Sequence, residues 1–181
     1  CSAVCFGTLA QRHQVSREAI NAFLSNTKEN CLKIFDINLR QDYYSKEIIN
    51  SSLQTANILK LNDDELSVLQ DLIDLPTNTK SAMQALLDRY QLDMIALTQG
   101  GSGSTIINRE NTSYCPATPV TVKDTIGAGD AFTATLVMAK LRGLPLESIN
   151  LLASKVAAYV CSQSGATPEL PDHLTNESVP D

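Results

Sequence analysis

The sequence predicts an α/β fold of three layers, with helices on both faces of a mainly parallel sheet. Short apolar runs alternate along the chain with amphipathic stretches of helical period, the pattern of parallel strands joined by helical crossovers. Glycines and polar residues cluster directly after several of those runs, where an open parallel sheet places its ligand sites. The 181 residues, 43% hydrophobic and 19% charged, are enough to bury a substantial single core.

The elements follow in order. Ala3–Phe6 reads as a short buried strand. Across residues 16–26, Ala19, Ile20, Phe23 and Leu24 share one helical face, with Ser16 as the N-cap. Residues 32–35 form a second strand that runs into a polar stretch at 36–40. A helix over 46–53 leads to a strand at 57–61, and further helices start at Asp63 and near Thr79, the latter running to Tyr90. Residues 94–97 are a strand entering a glycine-rich turn, with 105–107 as its hairpin partner. Residues 120–122 are expected as one more strand. Helices over 130–142 and 146–163 follow, divided by Gly143 and Pro145, and the proline-bearing tail from Pro168 reads as a surface extension.

A net charge of -6 and a pI near 4.9 argue against nucleic acid or a membrane surface as partner, since both call for a basic face. Phosphate must then be held by local geometry. No apolar run approaches the ~20 residues that cross a bilayer. The five cysteines form no CxxC pair, so reduced, mostly buried thiols in a cytoplasmic protein are expected. Sequons at Asn111 and Asn176 carry meaning only in a secreted chain. The chain does not open on Met and reads as starting inside a longer protein.

Four polar segments, at residues 36–40, 62–65, 98–103 and 124–130, are expected on one rim of the sheet. In the run from Asp124 to Phe132, the small residues Gly127, Ala128 and Gly129 lead directly into an apolar helix. Free N–H groups in a helix's first turn make an anion site, and Asp130 is also a favourable helix-start residue. A capped glycine turn and a ligand cradle are both open there. Asn62 followed by Glu65 is the spacing of a capping box. Arg40, closing the stretch Asp36-Ile37-Asn38-Leu39-Arg40, is either a surface residue or a forked donor for an anion. Thr98-Gln99-Gly100-Gly101-Ser102-Gly103 is a hairpin turn or a nucleotide loop. Its GxGxxG is incomplete and no helix opens after it, which disfavours a dinucleotide fingerprint; the absence of GxxxxGK[ST] excludes a P-loop.

These stretches resemble the ribokinase-like, or pfkB, family of carbohydrate kinases, most specifically through nine positions around Gly127-Ala128-Gly129-Asp130. The resemblance implies a Rossmann-like αβα sandwich. It also implies an anion hole lined by Gly127, Ala128 and Gly129, with Asp130 as catalytic base. Asn62 and Glu65 would organise magnesium, which usually keeps several waters, so Glu65 would act through water. Asp36, Asn38 and Arg40 match the Asp-x-Asn-x-Arg stretch of fructokinase-type members and would meet phosphate or the sugar's far end. Thr98, Gln99, Gly100, Gly101 and Gly103 would lie under the ribose and phosphates. Residues 153–171 are similar to the family's closing segment beside adenine, with Ser154 where many members carry Asn. The same region, with Asp124, resembles a monovalent-cation (K+) site built mostly from backbone carbonyls. The resemblance covers nearly all of residues 1–181 but only the C-terminal, nucleotide-binding portion of a single ribokinase-like domain. The N-terminal strands and β-stranded lid of the family have no counterpart in it.

The implied activity is magnesium-dependent transfer of the ATP γ-phosphate to a sugar hydroxyl, fructose first among acceptors, in a cytoplasmic protein whose partners are ATP and the sugar. The resemblance also allows a homodimer of the full-length protein. The chain alone is expected to be inactive, which leaves a non-catalytic nucleotide-binding fragment or pseudokinase as the alternative. A dinucleotide-dependent oxidoreductase is the third reading, disfavoured by the incomplete fingerprint.

Overall fold

The structure, a computed structural model, describes residues 1–175; the sequon at Asn176 and the end of the tail lie outside them. Six strands form one sheet in the order β1 (Ala3–Phe6), β2 (Leu32–Asp36), β3 (Ile58–Asn62), β4 (Met94–Thr98), β5 (Ser104–Asn108) and β6 (Thr112–Cys115). The chain divides into two compact units, one of Cys1–Leu97 with Ile107–Asn111, the other of Thr98–Ile106 with the chain from Thr112 onward.

In the first unit β1, β2 and β3 run parallel, with Phe6 beside Phe35 and Ile34 beside Ile58. The helices α1 (Gln14–Ser25), α2 (Lys46–Thr55), α3 (Asp63–Leu72) and α4 (Thr79–Tyr90) lie between the strands in sequence. Their apolar faces supply Ile49, Leu53, Leu69 and Leu86 to a core that also takes Phe35, Leu59, Leu61 and Leu97 from the strands. Each such side chain contributes about 1.5–3 kcal/mol of burial. The helix ends are fixed by short-range devices. Ser45 accepts the N–H of Ile48 at 3.3 Å to start α2, Asn78 accepts that of Ser81 at 3.0 Å to start α4, and left-handed Gln91 (φ 54°) ends α4.

Two expectations fail here. β1 is an edge strand with an exposed Cys5, not a buried one, because β2 pairs along one side of it only. Helix α1 starts two residues before Ser16, after an extended His13 that makes no side-chain cap. The 3-10 turn Leu9–Gln11 already curls the chain, so the helix needs no serine to start it. Of the apolar face of α1 only Leu24 is fully covered; Phe23 stays exposed.

The second unit holds β6, α5 (Ala128–Leu141), α6 (Leu146–Cys161) and the short α7 (Asp172–Thr175). Helices α5 and α6 pack together, burying Phe132, Leu136 and Ala139 on one and Leu152, Val156 and Val160 on the other. Gly143 (φ 77°) turns the chain between them and Pro145 precedes the first turn of α6. The strand expected at 120–122 does not form, and Val120 and Val122 are exposed. The strand is instead Thr112–Cys115, whose Ser113 and Cys115 point inward in alternation. A β-favouring run becomes a strand only where a ladder partner is available. The tail is not simply an extension over the surface, since Leu174 is buried and Tyr159 donates to the carbonyl of Glu169 at 3.0 Å.

None of the five cysteines, all of them described, forms a disulfide, and only Cys31 and Cys115 are buried, fewer than the expected majority. Among the described residues no helix is long and apolar enough to cross a membrane.

Candidate functional site

In the first unit, two of the four polar segments follow the adjacent parallel strands β2 and β3. Asp36 closes β2, buried and ion-paired with Lys60 Nζ at 3.2 Å. The chain then turns through Asn38 in the left-handed region (φ 47°), which asparagine tolerates better than most residues. Thr8, itself buried, holds the turn by donating both its hydroxyl and its N–H to the carbonyl of Ile37, at 2.9 and 3.2 Å. Arg40 is exposed, and its guanidinium donates to the neighbouring Leu39 carbonyl at 3.1 Å.

The capping box is complete. Asn62 Oδ1 accepts the N–H of Glu65 and Glu65 Oε2 accepts the N–H of Asn62, both at 2.8 Å. Glu65 Oε1 takes a third N–H, from Leu39 at 3.0 Å, which ties the two polar segments to each other. Glu65 is buried and each of its oxygens already serves a backbone donor. A direct metal bond therefore does not fit this carboxylate; influence through water and charge does. Among the described residues no group of three His, Cys, Asp or Glu could hold a metal ion.

In the second unit the polar loop after β4 passes through a 3-10 turn, Gly100–Ser102. It closes through the Gln99 N–H, which donates to the Gly103 carbonyl at 2.8 Å. Thr98 and Gln99 are half-buried while Gly100 and Gly101 face solvent with open space beside them. Gly103 is required by contact: at φ 97° a Cβ would stand 2.1 Å from the Cys115 carbonyl oxygen.

Gly127 is the left-handed N-cap of α5 (φ 84°), and a Cβ there would stand 2.2 Å from the Ala166 carbonyl oxygen. Ala128 N–H donates to Thr125 at a long 3.3 Å, and the regular ladder begins with Ala131 N–H to Gly127 at 2.8 Å. The N–H groups of Gly129 and Asp130 precede that first bond, so they are the donors the helix start offers to an anion. Asp130 is exposed, and among the described residues no hydrogen bond or ion pair occupies its carboxylate. Asp124 braces the approach, accepting the N–H of Ile126 at 3.0 Å and that of Gly165 at 3.3 Å. The N–H groups of Lys123 and Asp124 both donate to the Cys161 carbonyl. The Cys161 thiol is pushed above the ordinary thiol range, first by burial and then by the charge of Asp124.

A buried polar network around Ser154 escaped the sequence reading. Asn150 on α6, fully buried, donates through Nδ2 to the Ser113 carbonyl at 3.0 Å and to Ser113 Oγ at 3.2 Å. Its Oδ1 lies 2.6 Å from Ser104 Oγ, which in turn is 2.8 Å from Ser154 Oγ. The available signal was Asn150 itself, a polar residue four positions before Ser154 on an otherwise apolar helix face. One turn after Ser154, Ala158 lines a cavity of about 290 Å³ with Val120, Lys155 and Leu174.

Known proteins resemble this chain along most of its length. The family description "pfkB family carbohydrate kinase" matches residues 6–173. The chain is 30% identical over 148 residues to a fructokinase of Salmonella thompson, covering 76% of this chain and 65% of that one. It is 31% identical over 139 residues to a fructokinase of Klebsiella pneumoniae, covering 74% and 44%. Among solved structures, aminoimidazole riboside kinase from Salmonella enterica superposes with a TM-score of 0.80 at 27% identity, covering 96% of this chain and 61% of that one. The chain spans about half the length of the curated relatives it matches.

Proposed function

The chain belongs to the pfkB family of carbohydrate kinases, and we propose on that premise that the protein carrying it transfers the γ-phosphate of ATP to a sugar hydroxyl. The observation that carries the reading is the start of α5. There a left-handed Gly127, the donors of Gly129 and Asp130, and an exposed, unengaged Asp130 carboxylate stand together. In this reading Asp130 takes the proton of the attacking hydroxyl. The hydroxyl oxygen bonds to the γ-phosphorus, the bond to the β–γ bridging oxygen breaks, and ADP leaves. The peptides of Gly127, Ala128 and Gly129 stabilise the charge that develops in between, where positioned donors matter most.

The loop Thr98, Gln99, Gly100, Gly101 and Gly103 takes the nucleotide's ribose and phosphates, with Ser154 toward the base. Asp36, through its ion pair with Lys60, fixes the loop from which Asn38 and Arg40 meet phosphate or the acceptor. Magnesium would neutralise phosphate charge on the bound nucleotide, and Glu65, whose oxygens already serve backbone donors, would act on it through water rather than by a bond. In the same reading Asp124 would lie beside a monovalent-cation (K+) site whose ligands would be mostly backbone carbonyls. Fructose is the first acceptor to test because the relatives from Salmonella thompson and Klebsiella pneumoniae are named fructokinases, and an aminoimidazole riboside the second.

The test has two arms. ATP with magnesium is expected to raise the melting temperature of the 181-residue chain while NAD does not; at 100 times its Kd a ligand stabilises by roughly 2.7 kcal/mol. The full-length protein is expected to release ADP in a sugar-dependent way in a coupled assay, and the chain alone is not. No shift with ATP, or ADP release indifferent to sugar, overturns the reading. Binding without turnover in the full-length protein assigns it to nucleotide binding alone.

A further inference from the structure

We propose that Asn150, acting through Ser104, fixes the hydroxyl of Ser154 as a hydrogen-bond acceptor, so that this position selects a nucleotide base presenting an amino group over one presenting a carbonyl oxygen. The inference rests on the placement of Ser154 at the nucleotide given above.

The polarity follows from counting protons. Asn150 Nδ2 faces the carbonyl oxygen of Ser113 at 3.0 Å and, at a longer 3.4 Å, that of Ser104. Carbonyl oxygens only accept, so the amide nitrogen must lie on that side and Oδ1 on the other. Oδ1 is an acceptor too, and Ser104 Oγ stands 2.6 Å from it. The single hydroxyl proton of Ser104 is thereby committed to Asn150. At the 2.8 Å contact between Ser104 Oγ and Ser154 Oγ, Ser104 must accept and Ser154 must donate. Ser154 then has no proton left for a ligand, only lone pairs.

Burial makes this assignment firm. Asn150 is 0% and Ser104 2% exposed, so water cannot take over either bond without a large desolvation cost. Ser154 is half-buried. It shares the α6 face with Ala158, four residues on, which lines the neighbouring cavity. An acceptor at this place pairs with the 6-amino group of adenine and opposes the 6-carbonyl of a 6-oxopurine. Asn150 and Ser104 are positioning residues, since neither needs to touch the base.

The probes are ATP and ITP, whose triphosphates are identical, with Kd measured for each on the 181-residue chain. The parent is expected to prefer ATP by about tenfold, the scale of an acceptor facing an acceptor in a desolvated site. Ser104→Ala frees the Ser154 proton to rotate toward a ligand, and the preference is expected to fall to within about twofold. Ser154→Ala removes the acceptor at a half-buried position that tolerates truncation, and is expected to lose the preference to the same degree. The double variant is expected to lose no more than either single one. A purely structural role would weaken both nucleotides equally and leave the ratio intact. A retained ratio in either variant, or a parent ratio near one, overturns this proposal while leaving the nucleotide reading standing. Failure of the parent to bind either triphosphate overturns the nucleotide reading itself, and this proposal with it.

Discussion

Glu65 accepts the backbone N–H of Leu39 at 3.0 Å, joining residues 26 positions apart in the sequence. Its other oxygen closes the capping box with Asn62. One buried carboxylate thus starts α3 and fixes the turn that carries Asn38 and Arg40. A residue legible as a local cap is also a tertiary clamp.

Glu65→Gln tests that clamp. A glutamine offers one acceptor oxygen where two N–H groups converge, and its amide opposes the second donor. A loss of about 1–3 kcal/mol is expected in denaturant unfolding. If Glu65 also steers magnesium, the activation midpoint of the full-length protein for the metal rises in the same variant. An unchanged magnesium curve restricts the residue to the structural role.

Gly127→Ala is expected to cost stability and nucleotide affinity together. The new Cβ meets the Ala166 carbonyl at 2.2 Å, and φ 84° strains any L side chain. Relief requires the loop around Ala166 to move, and the donors at the start of α5 move with it. A melting temperature within a degree of the parent would show that this approach is not tight.

Asp130→Asn in the full-length protein is expected to lower kcat by ~10²–10⁴-fold with nucleotide Kd almost unchanged. The residue is exposed and caps no partner within the described chain, so folding is expected to be indifferent. Equal kcat in variant and parent would place the base elsewhere.

Lys60→Ala removes one partner of the buried Asp36 pair. Breaking such a pair typically costs about 3–5 kcal/mol, because the remaining charge stays desolvated. A loss below about 1 kcal/mol by chemical denaturation would mean that Asp36 is compensated by its other contacts.

Cys161 and Cys5 are expected to separate by alkylation rate. Cys5 is exposed on the edge strand, whereas burial and Asp124 raise the Cys161 thiol, and reaction follows the thiolate fraction. Mass-resolved iodoacetamide labelling at mildly alkaline pH is expected to modify Cys5 first. Because the folded pKa of Cys161 is raised, its stabilising contribution is present below the ordinary thiol pKa and fades as pH rises through the shifted value. Equal rates at both sites would contradict the assignment.

The sequence by itself determined most of the element order, the bounds of α4, the Asn62–Glu65 box and the glycine turn into α5. Periodicity, caps and left-handed glycines act within about four residues, so local sequence is enough to specify them. The family was legible for the same reason, since nine contiguous positions carry it. Tertiary structure decided the rest. It made β1 an edge, denied residues 120–122 a ladder and gave one to Thr112–Cys115. It brought Leu39 to Glu65, and it buried Asn150 against Ser104 and Ser113, 46 and 37 residues away. A strand or a buried amide has no settled partner until distant chain arrives, and unpaired polar groups cost too much to leave the choice open.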